Sequence, residues 1–258
     1  MTASILTEIC TAKRAHVAQV KAKSATLIRE GAPPRSFHEA LKNAPDIGII
    51  AEVKRASPSQ GRLREDFDIQ TLTQAYLTGG ASCLSVLTDT PYFHGSDDDL
   101  VTVRKMTDMP ILRKDFMIDP YQITESWALG ADCVLVILTA VSDSLAAELI
   151  AAAQGHGLDV LAEVHDRDEL DRALALGCSL IGVNNRNLHT LAVDLATGET
   201  LLPLIPPPCL AVAESGMKNA DDLMRMHRAG AHAALVGQSL CQSNDPAQSL
   251  RALRAAVA

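Results

Sequence analysis

The stretch Leu129-Gly130-Ala131-Asp132-Cys133-Val134-Leu135-Val136-Ile137-Leu138 decides the fold. A glycine stops a helix, because it takes the left-handed backbone that closes the last turn. The apolar run behind it is too short for a helix and reads as a strand buried on both faces. The same phrase recurs as Gly79-Gly80-Ala81, Leu176-Gly177-Cys178 and Ala229-Gly230-Ala231. Working outward, short apolar runs place strands at 48–53, 83–87, 111–112, 132–138, 160–162, 180–183, 210–213 and 233–236. Amphipathic stretches at 144–153, 168–176 and 220–229 lie between them. Eight βα units imply a parallel sheet, and eight strands are the number that closes a (β/α)8 TIM barrel. An open doubly wound sheet is the alternative. It would more often carry a glycine-rich dinucleotide turn after its first strand, and none stands here.

Residues 1–45 lack this alternation. Ile5, Leu6, Ile9, Val17 and Val20 recur near helical spacing, with Lys13, Arg14, Lys21 and Lys23 between them. Gly31-Ala32-Pro33-Pro34 breaks the chain, and a short helix is predicted at 36–41. The organisation expected is one domain over 1–258, a helical extension (1–45) followed by the barrel (46–258). Pro206-Pro207-Pro208 reads as a stiff approach to the seventh strand, not an interdomain linker.

Composition excludes several classes. Hydrophobic residues make up 47% of the 258, enough for a sizeable core, so wholesale disorder is excluded. Aromatics are 3% and the formal net charge is −8, with no basic run, so neither nucleic acid nor an anionic membrane is an expected partner. Any anionic ligand needs a local cation cluster. The six cysteines show no C-x-x-C pair and read as reduced, mostly buried small residues. No apolar run approaches the ~18 residues of a membrane span, and no signal-peptide pattern opens the chain, so the cytoplasm is the expected compartment.

Barrel active sites lie at the carboxyl ends of the strands. Here those ends are polar. The first runs into Glu52-Val53-Lys54-Arg55-Ala56-Ser57-Pro58-Ser59, with Glu52 and Lys54 on one face of the strand. The third reaches Lys114, the fifth Glu163 and His165, the sixth Asn184 and Arg186, the seventh Glu214. Buried charges of one sign are costly, but these are of both signs and can satisfy one another. Such a concentration points to a catalytic site. Glu214-Ser215-Gly216 and Val236-Gly237-Gln238-Ser239 follow strands seven and eight, where barrels commonly bind phosphate on backbone N–H groups. Ser57 offers a further hydroxyl. No histidine has ligand spacing, so no metal site is expected, and no G-x-S-x-G supports a serine hydrolase. His165, two residues beyond Glu163, reads as a surface histidine, with a substrate-orienting residue as the alternative, and Asp97-Asp98-Asp99 reads as a solvated charge run at a helix N-terminus.

Ile50–Ser59, Leu84–Asp89, Leu112–Phe116, Asp119–Gln122, Ala162–His165, Ile181–Arg186 and Ala213–Gly216, in that order, resemble the motifs of indole-3-glycerol phosphate synthase. The Ile5–Lys23 segment and Arg35-Ser36-Phe37 resemble that family's N-terminal extension. The resemblance implies a cofactor-free carboxy-lyase of tryptophan biosynthesis. Its substrate is a small phosphorylated molecule, 1-(2-carboxyphenylamino)-1-deoxyribulose 5-phosphate. It further implies Lys114 as the general acid of ring closure, Glu163 as acid/base of dehydration, and Lys54 as a binder of anionic groups. Glu52, Asn184 and Glu214 would shape the polar network, with Arg186 and Ser215 lining the pocket. Ser57, Gly216, Gly237 and Gln238 match the phosphate cradle. Gln238 departs from the family's small or acidic residue there, which leaves the donor open between it and Ser239. The aryl ring is expected on aliphatic neighbours and on Phe93 or Phe116. A monomer or weak homo-oligomer is expected.

Three other readings compete. A phosphoribosylanthranilate isomerase would need a Cys/Asp pair at these strand ends, and none stands there. A Schiff-base aldolase would use Lys54 or Lys114 and trap with borohydride. A phosphate-ligand sensor without catalysis would lack turnover, yet every expected ionisable residue is present.

Overall fold

A computed structural model describes residues 5–23, 27–58 and 60–256. Ser59, at the end of the first motif, lies outside the described residues.

Eight parallel strands close into a barrel: β1 (Gly48–Val53), β2 (Cys83–Leu87), β3 (Ile111–Lys114), β4 (Cys133–Ile137), β5 (Asp159–Val164), β6 (Leu180–Asn184), β7 (Leu210–Glu214) and β8 (Ala233–Val236). Each strand pairs with its neighbours in sequence. The ring shuts where β1 meets β8, from Gly48 beside Ala233 to Ala51 beside Val236. The expected barrel is therefore present and the open sheet is not. Several strands run further than the apolar pattern indicated. β3, β6 and β7 end on Lys114, Asn184 and Glu214, and β5 carries Glu163 inside it. Polarity that marks a loop elsewhere marks the inward-facing top of a strand here.

Both faces of the sheet are covered, so β1, β2, β4, β6, β7 and β8 are buried along their whole length. The outer helices begin on side-chain caps, among them Asp68, Ser96, Asp119, Ser142, Asp166 and Asn219. Two end on the glycines read as stops, Gly80 and Gly130, with φ of 82° and 97°. The cysteines are all free, and all but Cys209 are buried.

The N-terminal helix Ile5–Lys23 lies across the carboxyl ends of the strands. Ile5, Leu6 and Ile9 roof the central cavity. Lys13 is corrected from a polar-face residue to a buried one. It lies on the stripe formed with Leu6, Ile9, Cys10 and Val17, and its ammonium meets Asp89 at 2.9 Å and Asp115 at 2.7 Å. These aspartates follow β2 and β3. The ion pair therefore ties the helix to the rim, and the Coulomb attraction of two carboxylates outweighs burial, so the Lys13 pKa is raised.

The opposite end of the barrel is organised around Asp132, which is fully buried. It accepts from Arg104 Nη1 at 2.6 Å and from the backbone N–H groups of Arg35 and Ile111, each at 2.9 Å, with Arg29 at 3.4 Å. Removing it leaves buried guanidinium groups unpaired. Asp132→Ala is expected to lose about 3–5 kcal/mol of stability, read from urea unfolding monitored by circular dichroism. A change below about 1 kcal/mol would make the cluster a surface-like pairing.

Candidate active site

Residues two apart on a strand share a face, so Glu52 and Lys54, Leu112 and Lys114, and Leu161 and Glu163 each point the same way. Register then sets their neighbours: Lys114 lies beside Leu87, Glu163 beside Gly182, and Asn184 beside Glu214. The inward side chains meet at a cavity of about 660 Å³. Lys54, Lys114, Glu52, Glu163, Asn184 and Glu214 line it. So do Arg186, Ser215, Phe93 and Phe116, and also Ser57, Gly216, Gly237 and Gln238. Every candidate site residue from the sequence is thus brought to one place.

Lys114 is the centre of this arrangement. Its Nζ donates to Glu163 Oε2 and to Glu214 Oε2, both at 3.2 Å. Burial disfavours its charge, but Glu214, Glu163 and Glu52 outweigh burial and hold its pKa far above the ordinary lysine value. Burial also works against ionisation of Glu163. Lys114, His165 and Asn184 reverse that and hold its pKa well below the carboxylate range. Glu214 takes the opposite course. Burial and the neighbouring charge of Glu163 prevail over Lys114 and push it up to about 7. Two carboxylates share one ammonium, and only one of them is fully compensated. Nearby, Lys54 is paired with Glu52.

Two glycines make room for these carboxylates. A Cβ at Gly182 would lie 2.1 Å from Glu214 Oε1, and one at Gly237 would lie 2.1 Å from Glu52 Oε2. Gly237 was read only as phosphate cradle, and Gly182 was not read as part of the site. After β7, Ser215 and Gly216 both have positive φ, 61° and 90°. For serine that conformation is strained by roughly 1–2 kcal/mol. Asn185 holds the turn, since its Nδ2 donates to the carbonyls of Glu214 and Ser215 at 3.0 Å each. After β8, the Ser239 hydroxyl donates to Met217 O at 3.0 Å. The Phe93 and Phe116 rings are 6.2 Å apart and tilted, forming an aromatic corner of the wall.

Two readings are corrected. His165 is not a surface residue: its ring is held between Glu163 and Glu169, with the nitrogens 3.3 Å and 3.0 Å from their carboxylates. Asp97–Asp99 begins a helix but is not simply solvated. Asp99 is buried and takes the Arg55 guanidinium on both oxygens, at 2.5 and 3.1 Å, while Asp97 pairs with Arg113 at 2.8 Å. Arg55 also stacks on Phe67, 4.5 Å from its ring centre. Lys218, which also lines the cavity, was not singled out in the sequence. The Glu163-x-His165 spacing was the available signal for the histidine, because it puts both on one face of a strand. Among the described residues, no group of three His, Cys, Asp or Glu is placed to hold a metal ion, and no helix is long and apolar enough to cross a membrane.

The fold and the site define a (β/α)8 barrel with a lysine–carboxylate cluster in a cavity at the carboxyl ends of its strands. Comparison with known proteins narrows this. A family model described as indole-3-glycerol phosphate synthase matches residues 6–253. The indole-3-glycerol phosphate synthase of Azospirillum brasilense is 53% identical over 97% of this chain and 99% of the relative. That of Rhodospirillum rubrum is 48% identical over 96% and 98%. The chain belongs to the indole-3-glycerol phosphate synthase family. Among solved structures, a 3-hexulose-6-phosphate synthase from Salmonella typhimurium superposes with a TM-score of 0.66 at 12% identity. The match covers 82% of this chain and 98% of the other, and it bears on the fold alone.

Two outcomes are expected. Gly182→Ala places a methyl against Glu214 and should cut turnover by about 100-fold, with a stability loss of about 1–3 kcal/mol in chemical unfolding. Activity within about two-fold of the parent would show that Glu214 can move freely. Second, the unfolded chain releases the Glu214 proton near the ordinary carboxylate pKa of 4.5, the folded chain only near 7. Folding is therefore progressively destabilised as pH rises through that window. Glu214→Gln should melt above the parent at pH 8, and the gap should close toward pH 4. A gap independent of pH would contradict the raised pKa.

Proposed function

We propose that the barrel mouth closes the indole ring of 1-(2-carboxyphenylamino)-1-deoxyribulose 5-phosphate, releasing carbon dioxide and water to leave indole-3-glycerol phosphate. The activity follows from family membership. The assignment of individual residues is supported chiefly by the position of the Lys114 ammonium, held charged inside the cavity by two carboxylates.

Ring closure joins an aryl carbon to the ketone carbon and puts negative charge on the ketone oxygen. A charged, partly buried ammonium stabilises that charge in a site of reduced polarity, and it donates the proton the oxygen needs. Lys114 is the general acid of this step. The carboxylate then leaves as CO2, and its electron pair restores the aromatic ring. The new hydroxyl leaves as water and a ring proton is lost; Glu163 serves this dehydration as acid/base. Because a carboxylate anion departs as a neutral gas, each turnover consumes one proton, which must reach the site from solvent.

Lys54 and Arg186 supply positive charge for the substrate's anionic groups, and the Ser215 hydroxyl lines the same wall. Ser57, Gly216, Gly237 and Gln238 form the phosphate cradle. The Ser239 hydroxyl is already engaged by Met217, which favours the Gln238 backbone as the donor after β8. Phe93, Phe116, Leu135 and Ile137 offer a surface for the aryl ring. The acidic chain can still take an anionic substrate, because its cations are gathered at this mouth. The charge held on Lys114 also argues against that residue as a Schiff-base nucleophile, since a Schiff base forms from a neutral amine. We further propose that helix and barrel act as one unit in a metal-free reaction.

The test mixes purified protein with the carboxyphenylamino ribulose phosphate in EDTA and follows indole formation by fluorescence. Full activity is expected in EDTA. Lys114→Ala is expected to fold but lose at least about 10³-fold in kcat. Unchanged turnover in that variant would reject the role of Lys114, and loss of activity in EDTA alone would reject the metal-free step.

A further inference from the structure

Glu163 does not stand alone at the end of β5. Its two oxygens have different surroundings. Oε2 meets Lys114 at the cavity, whereas Oε1 is turned away, accepting from Asn184 Nδ2 at 3.0 Å. The imidazole of His165 approaches the same Oε1, with Nε2 at 3.3 Å. Nε2 is shielded from solvent and has no aligned hydrogen-bond partner among the described residues, so this carboxylate is the charge it faces.

The other side of the ring is clamped. Nδ1 lies 3.0 Å from Glu169 Oε2 and 3.0 Å from the Thr139 hydroxyl. Glu169 Oε2 also accepts the backbone N–H of His165 at 2.8 Å, and its Oε1 accepts the Thr139 hydroxyl at 2.5 Å. Asp166 in turn caps the helix Arg167–Ala175 by accepting the Glu169 backbone N–H at 2.9 Å. The ring is thus fixed by a helix start, by Thr139 in the single turn Leu138–Ala140 and by its own backbone. With a carboxylate facing each nitrogen, both nitrogens carry protons. His165 does not line the substrate cavity.

We propose that His165, clamped by Glu169 and Thr139, is a positioning residue for the lyase reaction: as an imidazolium behind Glu163 it keeps that carboxylate ionised and its Oε2 turned to the substrate. This rests on the reading of Glu163 as the acid/base of dehydration. The groups facing Glu163 are Lys114 from β3, His165 just beyond the end of β5, Asn184 from β6 and Glu214 from β7. Those facing His165 are Glu163, Glu169 and Thr139. Glu214 opposes ionisation of Glu163, and Lys114 must lend its proton to the ketone oxygen. During that loan the imidazolium is the remaining full positive charge against Glu163. Burial disfavours charge on the ring, but the two glutamates outweigh it and raise its pKa to about 10, so it stays charged through neutral pH.

The test has two readouts. The first is the pH profile of kcat for His165→Gln and Glu169→Gln, with folding checked by circular dichroism. Loss of the imidazolium raises the Glu163 pKa, so the acidic limb should move to higher pH by about one unit. In His165→Gln, kcat should fall about ten-fold or more, with KM within about two-fold. Glu169→Gln should shift the limb in the same direction by less, and it carries the test should His165→Gln fail to fold. An unmoved acidic limb, or a loss confined to KM, overturns the proposal. The second readout is the NMR titration of His165. Coupling is reciprocal, so in Glu163→Gln the midpoint should fall from about 10 toward the ordinary histidine range. An unmoved midpoint likewise overturns it. The underlying role of Glu163 is judged separately, since undiminished turnover in Glu163→Gln would remove that role even if the titration coupling were found.

Discussion

One ammonium shared by two buried carboxylates is the constraint around which the rest of the site is arranged. Lys114 remains charged in the barrel mouth because Glu163 and Glu214 face it at equal distance, with Glu52 nearby. The carboxylates in turn are tolerable there only because the ammonium is present. One cation cannot compensate two anions, however, so the pair splits: Glu163 stays ionised and Glu214 is pushed toward neutrality. A site built this way holds a strong positive charge facing the cavity. It also holds an ionised carboxylate and a second carboxyl that leaves the mouth less negative than its composition suggests.

The barrel supplies this constraint through strand ends and register. Inward positions at the top of β3, β5 and β7 carry the three groups, and glycine in β6 leaves space for the third. Above them the N-terminal helix closes the cavity with Ile5, Leu6 and Ile9, held down by Lys13 on Asp89 and Asp115. Asp115 follows Lys114 directly, so the ion pair that seats the roof also pins the backbone beside the central lysine. Stability and chemistry are separated along the barrel axis, with the Asp132 cluster at one end and the strained Ser215–Gly216 turn at the other.

Much of this was legible in the amino-acid chain. Glycine stops followed by apolar runs indicate the parallel barrel, and the spacing of Glu52 and Lys54 puts them on one face of a strand, while the closed barrel makes that face the inward one. The strands were read short because β3, β6 and β7 end on Lys114, Asn184 and Glu214, polar residues that elsewhere would mark a loop. Lys13, His165 and Asp99 were misread as exposed. Lys13 and Asp99 are buried by partners that only the fold brings near, Asp89 with Asp115 and Arg55, whereas the carboxylates that flank His165, Glu163 and Glu169, are its neighbours in sequence. Gly182 carries no side chain to read, and its importance lies in the Glu214 carboxylate that occupies the space beside it.

Glu163 and Glu214, with Glu52 nearby, lock the Lys114 ammonium in its charged form. NMR of protein labelled at the lysine ε-carbon, with the Lys114 resonance assigned by substitution, reads that charge at the atom itself. No titration of the resonance is expected up to about pH 11, beyond the ordinary lysine pKa of about 10.4. In a Glu163→Gln/Glu214→Gln variant, where Glu52 alone opposes the burial penalty, the midpoint should fall toward the ordinary lysine value. A wild-type midpoint below about pH 10 would contradict the account.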